Sequence, residues 1–260
     1  MDVRLFKEAV LTGSADFFNS QRFYNSWKEI VEEYSSRQMT KETDKLAAIL
    51  GLAKEAAIVL KDTFLLGLWK GHLHRDLLWW VKDPESSVRP ETFTAASWSW
   101  ISINGPISFE FRDDDSYVGH CIEIIHAEAE SDQTLPVLSG KLVVRGKLIP
   151  LIPENPESEY HSRRSAPSWK EDIEGTDPAS VRCLIVLATE HYVYALGLAH
   201  LDDSGTQYRR VGIVDWRTEP KAFGYNIYTS TWDNEEELGT VTIFQSALTE
   251  HEVESRQTRA

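Results

Sequence analysis

The stretch Ala95-Ala96-Ser97-Trp98-Ser99-Trp100-Ile101-Ser102-Ile103-Asn104-Gly105-Pro106 divides the chain into two hydrophobic rhythms. Upstream of it, apolar residues recur three and four apart; downstream, they alternate. The first period builds one stripe of a helix and the second builds one face of a strand. A chain carrying both in succession folds into segregated helical and β parts. Read as extended, the stretch puts Ala96, Trp98 and Trp100 on one face and Ser97, Ser99 and Ile101 on the other. Asn104-Gly105-Pro106 then turns the chain, because Gly tolerates positive φ and Pro fixes its own at about −65°. Two tryptophans on one face bury about 150–250 Å² each, so the pair reads as the seam between the two parts. A ligand-stacking platform is the alternative for the same pair.

Within residues 22–37, Phe23, Trp27, Ile30, Val31 and Tyr34 form one helical stripe, with Lys28, Glu29, Glu32 and Glu33 opposite. Thr40 is an N-cap candidate for the next helix, where Glu42 and Asp44 lie near the positive end of the dipole. Leu46, Ile49, Leu50 and Ala53 give that helix its buried face. Gly51 inside it costs about 1 kcal/mol against Ala, which predicts close packing of another segment there. Asp62 is placed to cap a short helix running to Trp69, with Gly71 as its stop, and residues 73–81 read as a further helical turn or two.

After a polar connection carrying Pro84 and Pro90, alternation predicts strands over 93–103, 107–111, 117–127, 138–148, 181–188, 192–199, 207–216 and 240–246. Residues 181–188 are apolar on both faces and belong in the middle of a sheet. Residues 153–180 hold four of the ten prolines and show no period, so they read as a mobile insertion. Within that insertion Trp169 reads as docking locally at most. The expected architecture is α+β: a helical subdomain over 1–92, packed on an antiparallel β-sandwich or barrel over 93–248. A disordered tail follows over 249–260.

Charge follows the same division. Residues 1–80 carry 11 basic and 11 acidic side chains, whereas 81–260 carry 16 and 30, so the whole net charge of −14 falls in the β part. Such a balance disfavours nucleic acid and anionic membrane surfaces, both of which want clustered Lys and Arg. Cys121 and Cys183 are too few for a disulfide scaffold and form no Cys-x-x-Cys pair for zinc. With no glycosylation sequon and no apolar leader at the start, the expected location is cytoplasmic.

The order of short landmarks resembles the C-terminal region of fungal heterokaryon-incompatibility (HET) domain proteins. They are Trp27, Tyr34-Ser35, Thr40, Asp44-Lys45-Leu46, Gly51-Leu52-Ala53, Gly67-Leu68-Trp69, Leu77-Leu78-Trp79, Ser97-Trp98-Ser99-Trp100 and Tyr208-Arg209-Arg210-Val211-Gly212. Ala96 stands where the family usually has Pro, and the motifs of the HET domain itself are not in this sequence. The resemblance therefore implies the downstream half standing alone. It implies a role in nonself recognition and cell death beside a HET-domain protein. The HET domain is related in fold to TIR domains, some of which cleave NAD, but no NAD chemistry carries over to this chain. The matched residues Asp44, Gly51, Gly67, Trp69, Trp79, Ser97, Trp98, Ser99, Trp100, Arg210 and Gly212 are expected to be structural.

No Gly-x-Ser-x-Gly elbow, P-loop or His-Glu-x-x-His is present, and no catalytic, cofactor-binding or metal residue is assigned. His72 and His74 read as surface histidines and Asp113-Asp114-Asp115 as a solvated turn without the Gly and distal Glu of a calcium loop. His120 and Cys121 are adjacent on a strand and face apart, so neither activates the other. Asp44 reads as a helix cap and Arg210 as paired with a carboxylate on the β surface, a buried Asp44–Arg210 link across the seam being the alternative. The expected function is a non-enzymatic interaction region that binds a HET-domain protein, without cofactor. A small-ligand or glycan-binding β module is the alternative.

Overall fold

A computed structural model describes residues 22–37, 44–90, 95–110, 119–130, 139–152, 166–201, 205–217, 220–227, 229 and 231–246. Two helices come first, α1 (Arg22–Ser35) and α2 (Asp44–Leu60). A tight hairpin follows, β1 (Phe64–Leu65) and β2 (Leu68–Trp69), then a single helical turn, α3 (Leu73–Asp76). β3 (Trp79–Val81) pairs antiparallel with β4 (Ile107–Phe109). The remaining strands are β5 (Gly119–His120), β6 (Ile122–Glu130), β7 (Ser139–Gly146), β8 (Leu148–Pro150), β9 (Ser168–Glu171), β10 (Arg182–Ala188), β11 (Tyr192–His200), β12 (Gln207–Arg217), β13 (Tyr225–Asn226), β14 (Thr231–Trp232) and β15 (Gly239–Ser246).

The fold is α+β, built around one mixed sheet in the order β5-β10-β11-β12-β15-β7-β6. It is not wholly antiparallel, because β15 runs parallel to β12 where Gln207 and Tyr208 face Thr242 and Ile243. The two ends of this ladder are close in sequence. β5 and β6 are separated only by Cys121, whose N–H donates to Val186 O on β10 (2.9 Å). β8, which continues β7 after Lys147, also pairs with β10. The β10–β12 meander is buried on both faces, as its unbroken apolar runs require. Leu184, Val186, Leu196 and Ile213 join the core shared with α1 and α2. Cys183, Ile185, Ala195 and Val214 point to a second core with Trp216, Phe223 and Tyr225.

Several sequence expectations change here. Residues 62–69 form the β1–β2 hairpin instead of a helix, and Asp62 accepts from the N–H groups of Thr63 (2.7 Å) and Gly71 (3.1 Å). Ser97-Trp98-Ser99-Trp100 is not a strand: turns lead into a 3-10 helix, Trp100–Ser102, capped by Ser99 Oγ accepting from Ile101 N–H. The division drawn at residue 92 falls inside the β3–β4 ladder, and both sides of it contribute to one hydrophobic core.

The mobile insertion read over 153–180 is corrected at 166–180. Residues 153–165 lie outside the described set, but β9 pairs with β12, Trp169 facing Val214 and Glu171 facing Gly212. Trp169 rests on two glycines: a Cβ on Gly197 or Gly212 would collide with its ring, and at Gly212 with Lys170 O as well. Asp172, next in line, is 1% exposed. Replacing 166–180 by a Gly/Ser linker should therefore cost several kcal/mol of unfolding free energy, read as a lower urea midpoint, since it uncovers a core aromatic and removes a buried charge partner. An unchanged midpoint would show β9 to be dispensable. Gly212→Ala should weaken the same contact by about 1–3 kcal/mol through overpacking.

Candidate functional site

Most of the described landmark residues, Gly51 excepted, line a buried seam with the β1–β2 turn on one side. Leu66 (φ 49°) and Gly67 (φ 95°) are both left-handed, the pattern of a type I′ turn, whose twist matches a two-residue hairpin. A Cβ on Gly67 would overlap the Trp100 indole, so side-chain absence is needed there as well as positive φ. The turn's carbonyls face the core and need donors. Gly67 O accepts from Trp27 Nε1 (3.3 Å) and from Trp100 Nε1 (3.1 Å), and Leu66 O accepts from Ser99 Oγ. Trp79 Nε1 donates to Trp98 O at 3.0 Å. Trp69, fully buried, packs edge-on against Phe23, Trp27 and Phe64 at 5.3–5.5 Å.

Arg210 on β12 carries the other half of the seam and is completely buried. Nη1 donates to Leu77 O (2.7 Å) and Nη2 to Trp79 O, so the guanidinium binds the chain entering β3. Nε and Nη2 reach the two carboxylate oxygens of Asp172, each at 3.2 Å. The guanidinium carbon lies 3.3 Å from the centre of the Trp79 ring, a cation–π contact in a desolvated setting. Arg210 N–H donates to Ser97 Oγ (3.1 Å), which gives the first serine of the motif its role. Arg89 adds a second cation, 3.7 Å from Asp172 Oδ2, and donates to Ser102 Oγ (2.9 Å). Burial pulls the Arg210 pKa down to about 10 while Asp172 opposes the fall, so the side chain stays charged at neutral pH. The ion pair across the seam is thus Arg210–Asp172. Asp44 opens α2, and the chemistry of the Arg210 group is that of a clamp.

Gly51 departs from expectation. It lies on the exposed face of α2, and a Cβ there meets no described atom within 4 Å. Lys28, read onto the solvent side of α1, is 1% exposed and sits 3.3 Å from the buried Asp76 of α3. Burial drives the Asp76 carboxyl up, with Lys28 opposing.

A histidine-rich cluster borders this pair, and sequence reasoning missed it. His72 and His74 are half-buried rather than surface groups. The Tyr24 ring stacks on His72 at 3.6 Å, and Tyr24 OH donates to Asp62 Oδ2 at 3.2 Å. Burial and the Asp62 charge push the Tyr24 phenol up to about 12. His74 stacks on His120 of β5 at 4.1 Å, tying α3 to the sheet. Burial, then neighbouring cations, pull His72 down to about 3 and His74 to about 4, and burial lowers His120 too. The Cys121 thiol is pushed well up by burial, opposite to what a nucleophile needs. No group of three or more His, Cys, Asp or Glu set to hold a metal occurs among the described residues. Asp113-Asp114-Asp115 lie outside them.

Comparison of the chain with protein-family models, with curated proteins and with solved structures found no match.

Two outcomes follow from the seam. Arg210→Ala should cost about 3–5 kcal/mol in equilibrium unfolding, because Asp172 is left buried without its fork. Arg210→Lys should recover only part of that, a point charge being unable to reach Asp172 and two carbonyls together; full recovery would mean that charge alone matters. The histidines set a pH dependence. Their folded pKa values lie below the unfolded value of about 6.5, so the unfolded chain binds protons that the fold refuses. Their stabilising contribution is complete above about pH 6.5 and is lost as pH falls towards 4. Asp76, raised in the fold, works in the opposite sense at the acid end. A His72→Gln/His74→Gln variant should therefore lose less stability than the parent between pH 6.5 and 4. Parallel curves would refute the assignment.

Proposed function

We propose that this chain is a non-enzymatic accessory region, similar to the C-terminal half of HET proteins, that binds a HET-domain effector. The observation that carries this reading is the mutual bonding of the landmark residues. Gly67 with Trp27 and Trp100, and Arg210 with Trp79 and Ser97, form two buried sets of donors, acceptors and ring partners, and Ser99 donates to Leu66 next to Gly67. Residues so occupied build a scaffold and leave recognition to the surface. On this reading the helices form a layer over a sheet rolled into a barrel. Support for the barrel comes from β5 and β8, both continuous with the far end of the ladder and both paired with β10. A cytoplasmic setting belongs to the same proposal and is supported by two buried cysteines, Cys121 and Cys183, that form no disulfide. No helix among the described residues is long and apolar enough to cross a membrane.

A glycan-binding role is the second reading. It draws on Tyr192 and Tyr194, whose rings stack at 6.1 Å and 28° on β11, with Tyr192 37% exposed. Calorimetric titration of the purified chain separates the two. The expected result is binding to a HET-domain fragment encoded in the same genome, no response to oligosaccharides, and no NAD turnover above background. Turnover of NAD would refute the accessory role, and oligosaccharide binding lost in Tyr192→Ala would put the glycan module in its place.

A further inference from the structure

Helix α2 has a composition out of keeping with its setting. Ile49, Ala53 and Ala56 face the core, yet Ile58 on the opposite side is 73% exposed, the most exposed large hydrophobic side chain among the described residues. Between residues 49 and 60 the exposed positions are Gly51, Lys54, Glu55 and Ile58. Their spacing of i, i+3, i+4 and i+7 makes them one contiguous patch. Lys54 and Glu55 form no ion pair among the described residues, and Gly51 leaves open space two turns before Ile58 on the same stripe.

We propose that this patch is a homodimer interface, in which α2 packs antiparallel against α2 of a second copy of the chain. The patch is complementary to itself in one orientation only. With a two-fold axis passing between positions 54 and 55, positions equidistant from that midpoint face each other. Lys54 then meets the second copy's Glu55, and the reciprocal pair forms by symmetry. Ile58 meets the second copy's Gly51, a projecting side chain over a position with no side chain. The half-buried flanks match too: Leu50 falls opposite Val59, and Leu52 opposite Ala57. A parallel arrangement would set Lys54 on Lys54 and Glu55 on Glu55, so charge selects the antiparallel one. One helix pair gives a small contact, and the dimer is accordingly weak and concentration-dependent.

Sedimentation equilibrium on the full chain, over about 1 µM to 1 mM, tests this directly. The parent should pass from monomer to dimer within that range. Lys54→Glu and Glu55→Lys should each weaken self-association by about tenfold or more, since each sets like charges face to face. Mixing the two single variants should restore a heterodimer, and the Lys54→Glu/Glu55→Lys double variant should restore the homodimer. Both restorations exclude misfolding as the cause of the loss. Ile58→Asp should be monomeric throughout, with an unchanged circular dichroism spectrum. A parent that stays monomeric to the top of the range, or a dimer indifferent to the two charge reversals, overturns the proposal.

Discussion

The Arg210–Asp172 ion pair is the constraint on which the arrangement of the chain depends. Two charges taken fully out of water are tolerable only if every donor and oxygen is matched, and the matching partners come from four separate stretches. Arg210 is on β12, Asp172 follows β9, the carbonyls of Leu77 and Trp79 flank the start of β3, and Ser97 belongs to the tryptophan turn. Each must arrive in register, or a buried charge is left bare. A buried pair of this kind adds little to net stability compared with apolar packing. What it supplies is discrimination, since a β3 segment docked a residue out of place forfeits these bonds together.

Tryptophan solves a related problem on the other side of the seam. A tight turn driven into a core brings carbonyl groups that water cannot reach. An indole covers such a carbonyl with apolar surface while donating one hydrogen bond, which no aliphatic side chain does. Trp27 and Trp100 both use it on Gly67, and Trp79 uses it on Trp98. Trp98 itself serves as bulk and as the owner of that accepting carbonyl. With Trp98 and Trp100 both 0% exposed, no ring face is left for a stacked ligand.

How far the sequence was legible follows from how local each cause is. The meander β10–β12 and β15 could be read because their apolar runs are bounded by turn residues and decided within ten positions. Ser97-Trp98-Ser99-Trp100 mimics a strand because a 3-10 turn capped by serine has the same alternation of small and large residues. β9 shows no period because a single ring, Trp169, fixes it, and the glycines that receive that ring lie more than twenty-five residues away. Lys28 looks solvent-facing on its own helix, and only the position of Asp76, fixed by tertiary packing, draws it inside. Gly51 is the converse: a helix-weakening residue suggested close packing of another segment, and no described atom comes within 4 Å of a Cβ there.

The stretch from α3 to β3 is joined to the sheet by two kinds of anchor that differ in chemistry. The Arg210 fork keeps its proton throughout the physiological range, because even a pKa lowered to about 10 lies well above it. The His74–His120 stack is held by neutral imidazoles, and protonating both would set two cations 4.1 Å apart next to Arg75. Acid near pH 4 therefore weakens the second anchor while leaving the first intact. The parts that hold the seam and the parts that could let it move are thus chemically separate, although only Leu77 and Leu78 stand between α3 and β3.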